Sequence, residues 1–524
     1  MNKDKVVLFG ATGTMGRKAL EELWRWRDRY DIVLLSRPSR RNRALLRPYQ
    51  SQAGIVPQSG AGADTGSGLT VVWGDATKYA DVERAIRGVD WVLDAMAYIS
   101  PQADYHPEVA RAVNIGGIRN IVRAIESQPQ GAERIKLAYT GTVAATGDRL
   151  PPIHMGRVGD PLNPSVFDYY AVTKIAGERV VLESKIQHWV SLRMTFIMPT
   201  CYRDCIDLLD PIAFHMPLNS MMENITDRDA GYGLVNVLDV ADDAGFWRRV
   251  YNMSGGPRMR CSAYDFVDRS FKLNGLAGVQ ACTERTWYAL RNFHMQYYED
   301  GAVLNQYLRH WRDSLSDYWS TVSGDIPPHM RLLSSLGRAV PRFRRVMERS
   351  THRALGKMAE NHRNGTAYWY KRRNDKRISA FFKDYGTYES IPGWDAGRPS
   401  IDAEPEWRHL HHGYDEGKSQ LSLEDLQGAA RLRGGKCLSQ HWDGEWYTVL
   451  DWECLLGHAF TAKPYTILKA GHWCPTCAPP PWDYGREARR NPFFSQVWYP
   501  RHGHEENDCY PESCTRDIAC ADED

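Results

Sequence analysis

The sequence predicts an α/β fold: a doubly wound parallel sheet in residues 1–275, then a mainly helical, basic region at 276–425, a small cysteine-bearing module at 426–480 and a polar tail at 481–524. Three observations predict it. Short β-branched runs alternate with helical periodicity from Lys5 to about Gly275, the pattern of a parallel sheet covered on both faces. A glycine turn, Gly10-Ala11-Thr12-Gly13-Thr14-Met15-Gly16, follows the first run at once. The chain has 524 residues, more than the roughly 250 to 300 at which single cores stop growing, so two or more domains are expected.

The strand-like runs lie at 6–9, 32–35, 69–73, 91–93 and 135–139, and helical periodicity fills segments such as 18–27, 80–87 and 113–125. The Gly-, Ser-, Gln- and Ala-rich stretch 50–68 reads as a surface loop before the third strand. Beyond Leu276 aromatic and charged helical segments take over, at 288–298 and 303–318 among others. Within them, residues 331–377 hold roughly fourteen Lys or Arg against about three acids, suited either to solvated helix faces or to weak contact with an anionic or membrane surface.

Hydrophobic residues at 43% and charged ones at 25% are the balance of a soluble globular protein, and a net charge of +2 selects no class of partner. The apolar run at 6–9 is too short for a signal peptide, and no stretch approaches the roughly 20 apolar residues that span a bilayer. A cytoplasmic protein is expected. Eleven cysteines, seven of them beyond residue 430, suggest metal binding rather than a secreted disulfide scaffold.

The glycine turn stands between a strand and a helix, which is the context of a Rossmann-type phosphate loop. Gly10 permits the tight turn, Gly13 lets the backbone approach a pyrophosphate, and Gly16 allows close helix packing. After the second strand the chain offers Ser36-Arg37, then Arg40 and Arg41, where an NAD-binding fold places an acid. Guanidinium groups there would pair with a 2′-phosphate, so NADP(H) is preferred over NAD(H). Gly74-Asp75 follows the third strand, where a carboxylate can accept from an adenine amino group.

Tyr170-Ala171-Val172-Thr173-Lys174 places a phenol and an ammonium on one helix face. An ammonium beside a phenol lowers its pKa from about 10 and makes proton transfer feasible near neutrality. Upstream, Thr142 stands in the hydroxyl-rich run from Tyr139 to Gly147, and Asn114 opens a helical pattern.

Taken in order, these residues resemble the extended short-chain dehydrogenase/reductases, the NAD-dependent epimerase/dehydratase-like group that includes nucleotide-sugar epimerases and dehydratases, 3β-hydroxysteroid dehydrogenases and dihydroflavonol reductases. The resemblance covers about the first half of the chain. It implies cofactor contacts from Gly10, Thr12, Gly13, Thr14, Met15 and Gly16, from Ser36, Arg37, Asp75, Ala76 and Ala97, and from Lys174. It also implies that Tyr170 moves the proton, Lys174 lowers its pKa and holds the nicotinamide ribose, Thr142 orients the reacting oxygen in place of the family's usual serine, and Asn114 orders the proton-relay helix or water. Pro199-Thr200 replaces the family's Gly-Pro pair, and Arg228 and Asp229 do not fit its substrate motif by spacing, so no substrate residue is carried over.

Cys474-Pro475-Thr476-Cys477 is a knuckle suited to two thiolates on a tetrahedral Zn²⁺. Cys437 and Cys454 complete four sulfur ligands, with His458 as the alternative to either. The segment resembles small zinc-ribbon or treble-clef modules, and a structural zinc would supply much of the stability of so small a unit.

The leading expectation is an NAD(P)(H)-dependent oxidoreductase that interconverts a carbonyl and a secondary alcohol of a small molecule. The alternatives are a nucleotide-sugar epimerase or dehydratase with tightly bound cofactor, and a cofactor-sensing scaffold whose zinc module binds a partner or nucleic acid. A homo-oligomer is expected, and nucleic acid is the less favoured partner.

Overall fold

Eight strands form the main sheet: β1 (Asp4–Phe9), β2 (Tyr30–Ser36), β3 (Gly62–Gly66), β4 (Leu69–Trp73), β5 (Trp91–Asp94), β6 (Lys136–Thr142), β7 (Trp189–Met194) and β8 (Arg249–Met253). The computed structural model describes residues 3–56, 62–404, 406 and 408–518. The strand order is β8-β7-β6-β5-β1-β2-β4-β3, parallel throughout except for β3, which runs antiparallel to β4. The order reverses between β1 and β5, where the crossovers leave to opposite sides and a crevice opens beyond the carboxyl ends of the strands.

The strands read as near-continuous hydrophobic runs because both faces are covered. Val6, Leu8, Ile32 and Leu34 point into one layer with Ala19, Leu20 and Leu23 of α1 (Thr14–Arg25). Val7, Phe9, Val33 and Leu35 point into the other, with residues of α2 (Tyr79–Ile86), α3 (Ile118–Glu126) and α4 (Tyr169–Leu182). Each such aliphatic side chain contributes about 1.5–3 kcal/mol on burial. A further helix, α5 (Asp227–Asn236), packs on α1, and a Cβ at Gly231 would lie 2.6 Å from the Ala19 nitrogen.

One expectation needs correction. The stretch 50–68 is not all loop: β3 extends the sheet edge, and its buried Asp64 accepts from the Trp73 indole at 2.7 Å and the Gln50 amide at 3.0 Å. An edge strand built on one buried polar anchor leaves little trace in hydrophobic periodicity. Residues 57–61 of the expected loop lie outside the described residues. Residues 481–518 of the polar tail contain the helices Tyr484–Ala488 and Pro492–Trp498. Trp482, Tyr484, Phe494 and Tyr510 share a core with Phe167 and Tyr169, and with Trp369 and Phe381 of the helical region. A polar average concealed apolar residues at helical spacing.

The helical region includes Leu315–Asp325, Pro328–Ala339, Pro341–Glu360 and Asp375–Phe382. The module that follows has a three-stranded antiparallel sheet, β9 (Lys436–Cys437), β10 (Leu450–Glu453) and β11 (Ala459–Ala462). Its Tyr465 and Ala470 enter the same hydrophobic layer as α4. Among the described residues, no helix is long and apolar enough to cross a membrane.

Candidate active site

The crevice floor begins at the glycine turn. Gly10 has φ +77°, and a Cβ there would meet the Ala95 oxygen at 2.6 Å. A Cβ at Gly16 would come within 2.0 Å of the Gly10 oxygen. Both are fixed by the chain itself. Gly13 differs: its Cβ would touch only the Gly10 oxygen, at 3.4 Å, so its outer side is open. As N-cap of α1, Gly13 offers no side-chain acceptor, which leaves the first amides of the helix free to face an anion.

Further residues line the same rim because they end or follow parallel strands. Ser36 is buried with an unpaired hydroxyl, and the following Arg37 is exposed. Arg37 acts electrostatically on Tyr98, which follows β5 and the exposed Ala97. Asp75 accepts from the Thr77 amide and hydroxyl, both at 2.9 Å, and so closes a local turn. Ala76 is fastened by its carbonyl to the Asn120 amide at 2.9 Å.

The helix α4 starts where Asp168 caps the Ala171 amide at 2.8 Å. Tyr170, in the first turn, stands close enough to Thr142 at the end of β6 for Thr142 to act on its phenol. Thr142 itself accepts from the Ala144 amide at 3.1 Å. Asn114 lies in a π-helical turn (Arg111–Gly117), accepts from the Tyr98 amide at 2.7 Å and donates to Thr173 of α4 at 2.9 Å. It therefore ties the segment after β5 to the Tyr170 helix. Gly177 allows the contact, since a Cβ there would meet the Asn114 oxygen at 2.6 Å.

The electrostatics correct one expectation. Burial pushes the Tyr170 phenol up to about 12, only partly offset by Thr142, and Lys174 is not among the groups that lower it. Lys174 is buried, with its ammonium 4.2 Å from the Tyr139 ring centroid, and burial brings it down to about 8 against the opposing pull of Asp94 and Glu178. Two residues four apart on a helix share a face, but their polar ends need not touch. Burial also lifts Asp94 to about 6.

Sequence reasoning missed the carboxylates around this helix. Asp104 accepts the Tyr169 amide at 2.9 Å and is pushed up to about 6 by burial, and Asp168 is raised by burial and by Asp104. Asp168 had a signal, an N-cap residue just before a helical run. Glu178, one turn beyond Lys174, is buried and receives Arg193 at 2.6 Å, Ser191 at 2.6 Å and His472 at 2.8 Å. The Arg193 guanidinium holds its carboxyl well below the usual range. Arg228 and Asp229 are structural: Arg228 pairs with Asp313 at 2.7 Å, and Asp229 accepts the Asp313 amide, also at 2.7 Å.

In the C-terminal module, one ligand atom each from Cys454, His458, Cys474 and Cys477 lies within 4.8 Å of the others. The separations are 3.4 Å from Cys454 Sγ to His458 Nδ1, 3.5 Å from Cys454 Sγ to Cys477 Sγ and 3.2 Å from His458 Nδ1 to Cys477 Sγ. Ligands on a tetrahedral Zn²⁺ with bonds of about 2.0–2.3 Å stand roughly 3.5 Å apart, so the donor set fits that ion. The expectation of four sulfur ligands is corrected: Cys437 does not belong to the group. In β9 it pairs with Trp452 of β10 and is buried in the module core, and His458 stands in the group instead.

No curated protein matches the chain by sequence. Among solved structures it is similar to MoeE5 in complex with UDP-glucuronic acid and NAD (15% identity, 61% of this chain and 98% of that chain, TM-score 0.45). It is similar also to a dTDP-glucose 4,6-dehydratase from Bacillus anthracis in complex with NAD (13%, 62% and 96%, 0.45). A third similar structure is a UDP-glucose 4-epimerase from Thermus thermophilus in complex with NAD (14%, 61% and 98%, 0.44). The model of the NAD dependent epimerase/dehydratase family matches residues 6–201, the segment that holds the glycine turn, the Thr142 strand end and the Tyr170 helix. Over that segment, a little more than a third of the chain, the protein is similar to the NAD dependent epimerase/dehydratase family.

Proposed function

We propose that the N-terminal α/β domain binds a nicotinamide dinucleotide and interconverts a carbonyl and a secondary alcohol, with Tyr170 as the acid/base. The observation that carries this reading is the placement of Tyr170 beside Thr142, close enough for Thr142 to act on the phenol, at the carboxyl edge of the sheet, with Lys174 one turn further along the helix. The amides of Thr14, Met15 and Gly16 would hold the pyrophosphate, Asp75, Ala76 and Ala97 the adenosine side, and Lys174 the nicotinamide ribose. When bound, the dinucleotide supplies or accepts the hydride. Tyr170 moves the proton on the substrate oxygen, Thr142 orients that oxygen, and Asn114 keeps the helix in register with the segment after β5. A phenol near 12 is protonated at neutral pH, so donation to a carbonyl, the reductive direction, is the easier half of the chemistry.

A second reading is favoured by the matched family's own description: an epimerase or dehydratase, in which the hydride returns to the substrate. The two readings differ in stoichiometry. Incubation with a panel of nucleotide sugars and simple carbonyl compounds, followed at the nicotinamide absorbance and by product mass, separates them. A reductase consumes one reduced dinucleotide per product, whereas an epimerase or dehydratase makes product with no net consumption. Absence of any dinucleotide binding would end both readings.

NADP(H) is the preferred cofactor in this reading, on the strength of Arg37, Arg40 and Arg41 after β2 and the lack of an acid there. NADPH should bind at least tenfold more tightly than NADH, and Arg37→Ala should remove most of the difference. Equal affinities in the wild type would reverse the assignment. The Cys454, His458, Cys474 and Cys477 group is assigned to structural Zn²⁺. The helix Pro341–Glu360 exposes Arg342, Arg345, Arg349, Arg353 and Lys357, and the preceding helix exposes Leu332 and Leu336, a combination suited to weak contact with an anionic membrane surface. Flotation with phosphatidylserine vesicles but not with phosphatidylcholine vesicles is the expected result, and equal behaviour with both would contradict it.

A further inference from the structure

The module's contacts with the catalytic helix are concentrated in one stretch of chain. Arg179 of α4 donates to the Trp473 oxygen at 2.5 Å and the Thr461 oxygen at 3.2 Å. His472 meets Glu178 at 2.8 Å, and Arg193, which also holds Glu178, donates to the Ala470 oxygen at 2.7 Å. The Lys463 ammonium donates to the carbonyl oxygens of Leu182 at 2.9 Å and Ser184 at 2.7 Å, capping the C-terminal end of the helix. Tyr465 receives the Val250 amide of β8 at 2.8 Å.

All these module groups fall between His458 and Cys474, which are two of the four candidate ligands. An ion there closes residues 459–473 into a loop whose ends are fixed before it docks. Closing a loop in advance removes chain entropy that docking would otherwise have to overcome. The geometry of the contacts matters for the active site because Glu178 stands one turn from Lys174 on the same helix.

We propose that one zinc ion, held by Cys454, His458, Cys474 and Cys477, acts as a brace on the helix that carries Tyr170 and Lys174, by fixing the loop 459–473 that grips the helix through Glu178, Arg179 and its terminal carbonyls. This inference goes beyond the catalytic reading and does not need it. A module that served only to recognise a partner would have no reason to direct its metal-bounded loop inward. Glu178 is then a positioning residue, joined to the module by His472 and to the sheet by Arg193 and Ser191.

The test uses the full chain. Metal analysis should find one zinc per chain, lost in Cys477→Ser and kept in Cys437→Ser. After removal of zinc by a chelator, amide exchange in residues 174–184 should rise at least tenfold, while exchange in α1, on the opposite face of the sheet, stays within twofold. Return of zinc should reverse the change, and cobalt in its place should show thiolate charge-transfer absorption. Should Cys477→Ser prove insoluble, Lys463→Met with zinc retained provides the same readout, with faster exchange confined to the last turn of α4. Three results would overturn the proposal: no zinc in the purified protein, unchanged exchange in 174–184 after zinc removal, or equal loosening of α1 and α4. Absence of dinucleotide binding by the zinc-loaded protein, by contrast, counts against the catalytic reading alone, so the two can fail separately.

Discussion

The helix behind the glycine turn and the helix carrying Tyr170 and Lys174 reach the same crevice, but α1 is placed by backbone shape and α4 by side chains from distant parts of the chain. α1 starts on glycines that admit no Cβ at Gly10 and Gly16, has no side-chain cap, and packs closely on α5. α4 is capped by Asp168, sewn to the π-helical turn through Asn114 and Thr173, and bound along its C-terminal half by the module. A backbone-made element presents amides and leaves room for a ligand. An element held by side chains can fix a phenol and an ammonium in a buried setting. The difference matches the tasks assigned to the two ends of a dinucleotide.

The largest expected effect lies on the α4 side. Arg193 and Glu178 are 2% and 3% exposed, so Arg193→Met leaves a buried carboxylate with only Ser191 and His472. Removing one partner of such a pair costs about 3–5 kcal/mol, measurable by urea unfolding. A loss below about 1 kcal/mol would mean that the network does not hold the helix. Next comes Gly16→Ala on the α1 side: the new methyl would meet backbone at 2.0 Å, and overpacking of this kind costs about 1–3 kcal/mol together with dinucleotide binding.

A pH series sharpens the comparison, because α4 buries an ionisable group in its first turns. Lys174 is held down to about 8 by burial, whereas an unfolded chain keeps a lysine pKa of about 10.4. Between those values the unfolded state binds the proton that the folded state has released. Stability from this group therefore rises with pH across that window, and the penalty for burying the charge is fully present below it. In Lys174→Met the gain between about pH 7.5 and 9.5 should be smaller by about 2 kcal/mol. An unchanged pH slope would place the ammonium in water. The smallest stability effect is predicted for Gly13→Ala, below about 1 kcal/mol because its Cβ has room. Its dinucleotide affinity should nonetheless fall at least tenfold, since the methyl occupies the open side of the turn.

What could be read from the sequence was local. The glycine turn, the Tyr170–Lys174 spacing and the alternation of strands and helices are each contained in a short window, and the parallel sheet follows from them. The partners of α4 were not legible, since His472 lies 294 residues from Glu178 and no spacing rule links them. For the candidate metal group, Cys437 and His458 were both available by spacing, and only the folded positions, which bring His458 and not Cys437 together with the other three residues, separate them. The phenol's pKa was misjudged because helical spacing gives a shared face but not the degree of burial, and burial dominates at Tyr170. Strand β3 escaped because Gly- and Ser-rich sequence conceals an edge strand anchored by Asp64.

The central claim is that Tyr170 moves the proton while the glycine turn holds the cofactor. Its most direct test is Tyr170→Phe, with dinucleotide affinity and turnover measured on the same preparation. The account predicts affinity within twofold of the wild type and turnover lowered by about 10²–10⁴. Turnover equal to that of the wild type would contradict it.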